Sequence, residues 1–156
     1  MNQMLAWFQA ARFPSQIYLL LPVWLGQLWA EYLGYPVNRD IFYLTLFFAC
    51  IDQLYIVFAN DYADQDVDAL NDAPTLFSGG SRVLVESKLS AQALLRAAQL
   101  AGLTCLLIGL VLATHYDRPW SILFALIALG LLWAYSFKPI RASYRGFGVF
   151  LQTIGI

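Results

Sequence analysis

Residues 41–68 are IFYLTLFFACIDQLYIVFANDYADQDVD, an apolar run followed without interruption by an acidic one. The apolar part, Ile41 to Ala59, approaches the roughly 20 residues that an α-helix needs to cross a bilayer. The acidic part, Asn60 to Asp68, contains four carboxylates. Because charged groups beside a membrane segment are costly unless they have partners, this junction predicts a membrane helix that leads into a functional site.

The composition of the whole chain is that of a membrane protein. Of its 156 residues, 60% are hydrophobic and 12% are charged, whereas an average soluble domain is about 45–50% apolar and about 25% charged. The net charge is −1, and no nucleic-acid partner is expected. The first eleven residues lack the basic start of a secretory signal. Cys50 and Cys105 have no metal-ligand spacing, so we expect two buried thiols.

Three further apolar segments approach the length of a membrane helix. The four segments together are Pro14 to Leu33, Ile41 to Ala59, Ala91 to Thr114, and Pro119 to Phe137. A fifth opens near Gly146 and reaches Ile156, which is too short to cross. A segment that crosses lipid must form all its backbone hydrogen bonds internally, as an α-helix does. The sequence therefore predicts an all-α, multi-pass transmembrane helical bundle of about four complete helices plus a partial fifth.

The basic residues are unevenly divided between the two ends of these segments. If each segment crosses once, two arginines, Arg39 and Arg118, fall on one side, and seven basic residues fall on the other. The seven are Arg12, Arg82, Lys88, Arg96, Lys138, Arg141 and Arg145. Since positive charge accumulates on the cytoplasmic side, we expect an integral protein of the cytoplasmic (inner) membrane, with its N-terminus and its acidic run facing the cytoplasm.

The spacing within the acidic run points to a cation. If the second helix continues through the run at about 100° per residue, three carboxylates and an amide share one face, and Asp66 points away from it. The residues on that face are Asn60, Asp61, Asp64 and Asp68, with Gln53 two turns earlier. Oxygen ligands of this kind suit Mg²⁺, which is commonly completed by substrate phosphates. A calcium loop is not supported, because its required glycine and glutamate positions hold Ala69 and Thr75.

Residues 60–68 match the N-D-x-x-D-x-x-x-D motif of the UbiA superfamily of intramembrane aromatic prenyltransferases. The sequence resembles this superfamily in other places too. Arg12-Phe13-Pro14 resembles the start of its first helix, and residues 82–90 resemble its R-P-x-x-x-G-x-x-S loop, with Val83 and Ser87 in place of the usual Pro and Gly. Tyr144-Arg145-Gly146-Phe147-Gly148 resembles the menaquinone-pathway branch, which prenylates 1,4-dihydroxy-2-naphthoate.

The resemblance also implies a second aspartate-rich motif, D-x-x-x-D, on later membrane helices. Residues 1–156 do not contain it in the expected place. We therefore expect residues 1–156 to be the N-terminal half of a UbiA-like prenyltransferase domain, which ends inside that domain. A missing C-terminal half or a second chain is then an expected partner, beside the lipid bilayer, the polyprenyl diphosphate and the aromatic acceptor.

The resemblance further implies the site residues. Mg²⁺ is expected to be the cofactor, and its ligands are expected to be Asn60, Asp61, Asp64 and Asp68. Cations that stabilise the leaving diphosphate are expected among Arg82, Lys88, Lys138, Arg141 and Arg145. The implied function is polyprenyl transfer to an aromatic acceptor, most closely 1,4-dihydroxy-2-naphthoate, in quinone biosynthesis.

Other interpretations of these residues stay open. Basic residues beside membrane helices also serve as anchors that orient the chain. Gly79-Gly80 could cradle a phosphate, but a lone pair of glycines more often forms a turn. Asp52, inside the apolar segment, either binds the acceptor or forms a neutral hydrogen bond between helices. The acceptor could instead be 4-hydroxybenzoate, homogentisate, haem or a phospholipid ether. A non-catalytic truncated or split membrane protein of the same fold is the alternative to an enzyme.

Overall fold

The computed structural model describes residues 2–72 and 80–155, which are mainly helical and contain no strand. The α-helices, in chain order, are α1 (Gln3–Ala10), α2 (Ile17–Tyr32), α3 (Arg39–Asp68), α4 (Ala91–His115), α5 (Ser121–Ser136) and α6 (Gly148–Gly155). Short 3-10 turns precede α2, at Phe13–Gln16, and α6, at Ala142–Arg145. The predicted all-α helical bundle with a partial last helix is confirmed.

Helix α3 is the central element, and it continues through the acidic run. It begins after Asn38, whose side chain accepts hydrogen bonds from the backbone N–H groups of Asp40 (2.8 Å) and Ile41 (3.2 Å) and so caps the helix. Its 30 residues span about 45 Å, more than the roughly 30 Å hydrocarbon thickness of a bilayer. A helix of this length can cross a bilayer and still carry its acidic end beyond the hydrocarbon.

Small residues bring α3, α4 and α5 close together. Gly102 of α4 lies against the ring of Tyr55, 3.5 Å from where a Cβ would be. Gly109 lies against Ala125, and its carbonyl accepts a hydrogen bond from Ser121 Oγ (2.8 Å). Small residues at helix crossings and short polar contacts between helices are the usual means of packing helices in lipid. These contacts hold α4 against α3 and α5, so the bundle supports the helix that carries the acidic run.

Two helices in the described part of the chain, α3 and α4, are long and apolar enough to cross a membrane. The first and fourth predicted segments are shorter as helices, because α2 and α5 have 16 residues each. Pro14 lies in a 3-10 turn before α2, and α5 stops at Ser136 because Phe137 is extended, two residues before Pro139, which cannot continue a helix. Among the described residues, two of the four predicted segments therefore form helices of spanning length, and the other two form shorter helices of the same bundle.

Helix α1 packs across the bundle near the acidic end of α3. Trp7 makes an edge-to-face contact with Phe58, at 5.8 Å between ring centroids. Ala10 belongs to a buried cluster that includes Val83 and Leu94. Helix α1 thus lies beside the end of α3 and the start of α4. The predicted residues of the acidic motif lie in the same place.

Candidate functional site

The acidic residues occupy the C-terminal turns of α3, where carboxylates are electrostatically unfavourable. The C-terminus of a helix carries partial negative charge, and α3 has no basic residue in its last turn. The compensating groups must therefore come from elsewhere in the chain. They come from two sides, one formed by α1 and residues 80–90, the other formed by the end of α5 and the 3-10 turn that follows it.

On the first side, Asp61 is buried and ionically paired. Its carboxylate forms an ion pair with the guanidinium of Arg12, and it accepts hydrogen bonds from the backbone N–H of Ser81, at 3.3 and 3.2 Å to its two oxygens. Arg12 adopts the left-handed conformation (φ 43°) at the end of α1, which turns the chain toward the motif. Asp61 is thus fixed between α1 and the segment that precedes α4.

Asp68 approaches the same point as Asp61, and Gly80 makes room for both. A Cβ at Gly80 would collide with the Asp68 carboxylate and would come within 3.3 Å of Asp61 Oδ1. Gly80 also has φ +67°, a conformation that glycine adopts without steric cost. The absence of a side chain therefore allows two carboxylates to face one short stretch of backbone.

Arg82 closes the end of α3 from this first side. Its Nη1 donates to the carbonyl oxygens of Asp68 (3.3 Å) and Asn71 (3.1 Å), and its Nε lies 3.9 Å from a Glu86 carboxylate oxygen. The guanidinium thus compensates the partial negative charge of the helix terminus. Of the predicted diphosphate-binding cations, Arg82 is brought to the Asp61 and Asp68 side.

Lys88 is directed away from the carboxylates of the motif. Its ammonium forms an ion pair with Glu86 and donates to Gln9 Oε1 (2.7 Å). The hydrogen bond from Lys88 is the main cause that lowers the pKa of Glu86. Gln9 Nε2 donates in turn to the carbonyl oxygen of Ser81 (2.7 Å), so Lys88 and Gln9 link α1 to residues 81–88.

On the second side, neutral donors bind the other two motif residues. Ser136 Oγ donates to Asn60 Oδ1 (3.0 Å), and the Tyr144 hydroxyl donates to Asp64 Oδ1 (2.8 Å). Arg141 lies over the ring of Tyr144, 3.7 Å from its centroid, and donates to the carbonyl oxygen of Ala63 (3.1 Å). Partial desolvation, followed by the hydrogen bond to Asp64, raises the pKa of Tyr144, so its phenol remains a donor at neutral pH.

The remaining predicted cations are peripheral. Lys138 is exposed, and Arg145 donates to the carbonyl oxygen of Pro139 (2.9 Å), on the exposed surface. The exposed position of Asp66 agrees with the prediction that it points away from the motif face. Of the proposed Gly79-Gly80 phosphate cradle, Gly79 lies outside the described residues.

The donor set suits a hard cation in chemistry, and two of its members converge. Asp61 and Asp68 both approach Gly80, and carboxylate oxygens are the ligands that Mg²⁺ prefers. Asp64 and Asn60 are instead engaged by Tyr144 and Ser136. In residues 2–72 and 80–155, no group of three His, Cys, Asp or Glu side chains is assembled closely enough to hold a metal.

Asp52 is buried inside α3, two turns before the motif. Its Oδ1 has no hydrogen-bond partner among the described residues, and the neighbouring Gln53 donates to Ser15 Oγ (3.2 Å). One role considered for Asp52 was a neutral hydrogen bond to another helix. Oδ1 of Asp52 does not form such a bond with the described residues.

Sequence reasoning did not predict four contacts that organise the site. The partners concerned are Gln9, Ser81, Ser136 and Tyr144. Tyr144 lies in the Tyr-Arg-Gly stretch noted above, which was a usable signal. No pattern in the sequence marks Gln9, because one of two glutamines on a short apolar helix has no distinctive spacing.

Comparison with known families gives one match. The sequence model described as the UbiA prenyltransferase family matches residues 19–155, which include the whole acidic run, residues 80–90 and the second side of the candidate site, but not α1 or Arg12. Searches of curated proteins and of solved structures return no match.

Proposed function

Since the chain belongs to the UbiA prenyltransferase family, whose members are membrane-embedded prenyltransferases, we propose that it forms the diphosphate-binding part of an enzyme that transfers a polyprenyl group to an aromatic acceptor. The observation that carries this proposal is the convergence of Asp61 and Asp68 at Gly80, with Arg12 and Arg82 beside them. A metal-bridged diphosphate needs this combination of carboxylates and guanidinium groups.

The proposed ligands of Mg²⁺ are the four predicted residues, Asn60, Asp61, Asp64 and Asp68. Bound there, Mg²⁺ would neutralise the charge that develops on the leaving diphosphate. Asp61 and Asp68 already face one point, whereas Asp64 must exchange its hydrogen bond with Tyr144 for a role in the site. In this proposal the first side of the motif supplies ligands that are already in position. The second side supplies ligands that must first give up their hydrogen bonds to Ser136 and Tyr144.

The proposed cations differ in how directly they act. Arg82 is adjacent to the motif, and its planar guanidinium suits bidentate contact with phosphate. Arg141 is bound to α3 through the Ala63 carbonyl and is the proposed cation of the second side. We assign Lys88, Lys138 and Arg145 to the approach of the diphosphate, since Lys88 is held by Glu86 and Gln9 and the other two lie on the exposed surface.

The second aspartate-rich motif is proposed to come from further membrane helices, in a continuation of this domain or in a second chain. The proposed acceptor is 1,4-dihydroxy-2-naphthoate, in menaquinone biosynthesis, on the strength of Tyr144-Arg145-Gly146-Phe147-Gly148. The same chemistry would accept 4-hydroxybenzoate or homogentisate, because each is an electron-rich ring that attacks an allylic cation; haem and phospholipid ethers are the remaining alternatives. The excess of basic residues around the motif supports a cytoplasmic orientation for a multi-pass chain in the inner membrane.

The test is prenyl transfer in membranes that contain this chain, alone and with any downstream partner chain. The assay combines a labelled polyprenyl diphosphate, Mg²⁺ and a panel of the aromatic acceptors. We expect product only with Mg²⁺, loss of product with Asp64→Ala, and normal product with Asp66→Ala, which removes an exposed carboxylate from the same run. Product with 1,4-dihydroxy-2-naphthoate and with no other acceptor of the panel would establish the acceptor.

The second candidate is a non-catalytic protein of the same fold that binds a polyprenyl diphosphate without turning it over. The sequence leaves this alternative open, because residues 1–156 contain the first of the two aspartate-rich motifs that the resemblance implies. It predicts Mg²⁺-dependent binding of the diphosphate and no transfer to any acceptor, in the presence or absence of a partner chain. Absence of both binding and transfer from correctly inserted protein would contradict both candidates.

A further inference from the structure

Helix α1 has two apolar sides, and the bundle covers only one of them. Ala6, Trp7 and Ala10 face the bundle, where Ala6 and Ala10 are buried and Trp7 contacts Phe58. Met4 and Leu5 remain more than 60% exposed, and Phe8 is 52% exposed. At 100° per residue these three side chains fall within a 100° arc opposite the buried side. A helix that is apolar on both sides is normally covered on both sides.

The length and level of α1 restrict what can cover the exposed arc. Its eight residues span about 12 Å, less than half of the roughly 30 Å hydrocarbon thickness, so α1 cannot cross a bilayer. Its buried side joins a cluster with Leu94, in the first turn of the candidate membrane span α4. Gln9, beside the arc, is bonded to Ser81 and Lys88, in the polar connection that precedes α4. Helix α1 therefore lies level with the end of a membrane span.

The exposed arc is continuous with the apolar surface of α2. The rings of Phe8 and Phe13 are 5.7 Å apart, and both are exposed. Ile17, Tyr18 and Leu21 continue the exposed apolar surface into α2. Because the family is membrane-embedded, the surface of α2 leads directly from the bilayer to α1. No residue of α1 carries a charge that would oppose contact with hydrocarbon.

We propose that α1 is an interfacial anchor, whose exposed side chains Met4, Leu5 and Phe8 are inserted at the headgroup–acyl boundary of the bilayer. Short helices of this kind bind membranes through their apolar face, at a depth of about 5–10 Å. Through Gln9, α1 contacts Ser81 and Lys88, and Arg12, two residues after α1, pairs with Asp61. Docking of α1 in the interface thereby fixes the segment that covers the acidic motif.

The first experiment identifies what covers the arc by photocrosslinking. The photoreactive residue p-benzoylphenylalanine replaces Leu5 or Phe8 in the full chain, reconstituted in nanodiscs of phosphatidylcholine and phosphatidylglycerol. Illumination is expected to add the mass of one phospholipid at both positions, as at Leu21 on the exposed surface of α2. The control at Asp66, which is exposed and polar, is expected to give no lipid adduct.

Two results would overturn the proposal. Absence of a lipid adduct at Leu5 and Phe8, with a normal adduct at Leu21, would show that the arc does not reach the bilayer. Adducts with the mass of two chains would show that a second copy, rather than lipid, covers it.

A second measurement does not depend on the photoreactive residue. The double substitution Leu5→Asp and Phe8→Asp places two charges on the arc without touching the buried side. Amide hydrogen exchange is expected to become faster throughout residues 3–10 in nanodiscs and to stay unchanged in α3 and α4. Unchanged exchange in α1 would contradict membrane anchoring, while faster exchange in all helices would show that the arc belongs to the folded core and would equally overturn it.

Discussion

The two sides of the acidic end of α3 differ in the chemistry of their contacts. On the side of Asp61 and Asp68, the partners are Arg12, Arg82 and the backbone at Gly80 and Ser81. On the side of Asn60 and Asp64, the partners are two hydroxyl groups, those of Ser136 and Tyr144. The first side is ionic and tightly enclosed. On the second side the motif side chains accept single hydrogen bonds from neutral hydroxyl groups, and the nearby Arg141 binds the backbone carbonyl of Ala63 instead of a carboxylate.

This difference teaches how one helix end can be both stable and reactive. A carboxylate that is held by a guanidinium group and by backbone N–H donors, as Asp61 is, is fixed in position, as a preorganised cation site requires. A hydroxyl that donates one hydrogen bond contributes about 0.5–1.5 kcal/mol, which a bound cation can readily exceed. The ionic side is therefore expected to be the preorganised part of the site, and the hydroxyl side the adjustable part.

The largest expected effect comes from removing a charge on the ionic side. Asp68→Asn keeps the size of the side chain but removes the charge that converges with Asp61 at Gly80. We expect the prenyl-transfer rate to fall by about 100-fold or more, the usual loss for a group that stabilises the transition state electrostatically. The rate is measured in membranes at saturating Mg²⁺ and compared with that of Asp66→Asn, which should be unchanged.

The same substitution at Asp64 tests the difference between the two sides. If Asp64 is the adjustable ligand, Asp64→Asn should raise the Mg²⁺ concentration needed for half-maximal rate more than it lowers the rate at saturation. Equal losses at saturation for Asp64→Asn and Asp68→Asn would abolish the distinction between the sides.

The second effect concerns the glycine that lets the ionic side close. Gly80→Ala introduces a Cβ that collides with the Asp68 carboxylate, at a backbone conformation (φ +67°) that disfavours a side chain. We expect the free energy of unfolding to fall by about 1–3 kcal/mol, measured as a lower midpoint of thermal unfolding in detergent. Gly26→Ala is the matched control, since a Cβ there meets nothing within 4 Å. A midpoint for Gly80→Ala as high as that of the control would show that residue 80 does not enclose the carboxylates.

A smaller effect is expected on the hydroxyl side. Tyr144→Phe removes the hydrogen bond to Asp64 and keeps the ring that Arg141 covers. The loss is expected to be about 0.5–1.5 kcal/mol or less, because the bond is exposed to solvent. The loss is measured as a lower midpoint of thermal unfolding. The control is Tyr32→Phe, whose midpoint should be unchanged because the Tyr32 side chain is 79% exposed. A loss larger than that of Gly80→Ala would show that the second side is as rigid as the first.

The helix and its acidic face could be predicted from the sequence, since both follow from local periodicity. The apolar run gives the helix, and the spacing of Asn60, Asp64 and Asp68 places them on one face. The exposure of Asp66 was predicted from the same geometry and is observed. These properties depend on residues close together in the chain.

The division of that face into two sides could not be predicted, because it depends on contacts far apart in sequence. Gln9 meets Ser81 across 72 positions, and Tyr144 meets Asp64 across 80. Hydropathy also overestimated the lengths of α2 and α5, since it does not register that Pro14 lies in a 3-10 turn before α2 or that Phe137 is extended after α5. Lys88 was predicted to be a candidate cation for the diphosphate, and its pairing with Glu86 could not be predicted, because a pairing between two loop residues has no periodic signature.

The smallest expected effect lies at the outer edge of the ionic side, where Glu86 pairs with Lys88. The pKa of Glu86 is lowered below its ordinary 4.5, so its contribution to stability is present above pH 4.5 and is lost as the pH falls through the lower, folded-state pKa. The difference in unfolding midpoint between the native chain and Glu86→Gln should therefore be constant above pH 4.5 and vanish at lower pH. It should be small and should shrink with added salt, because the pair is exposed and screened by solvent. A difference that persists at low pH would mean that Glu86 acts through packing and does not belong to the ionic side.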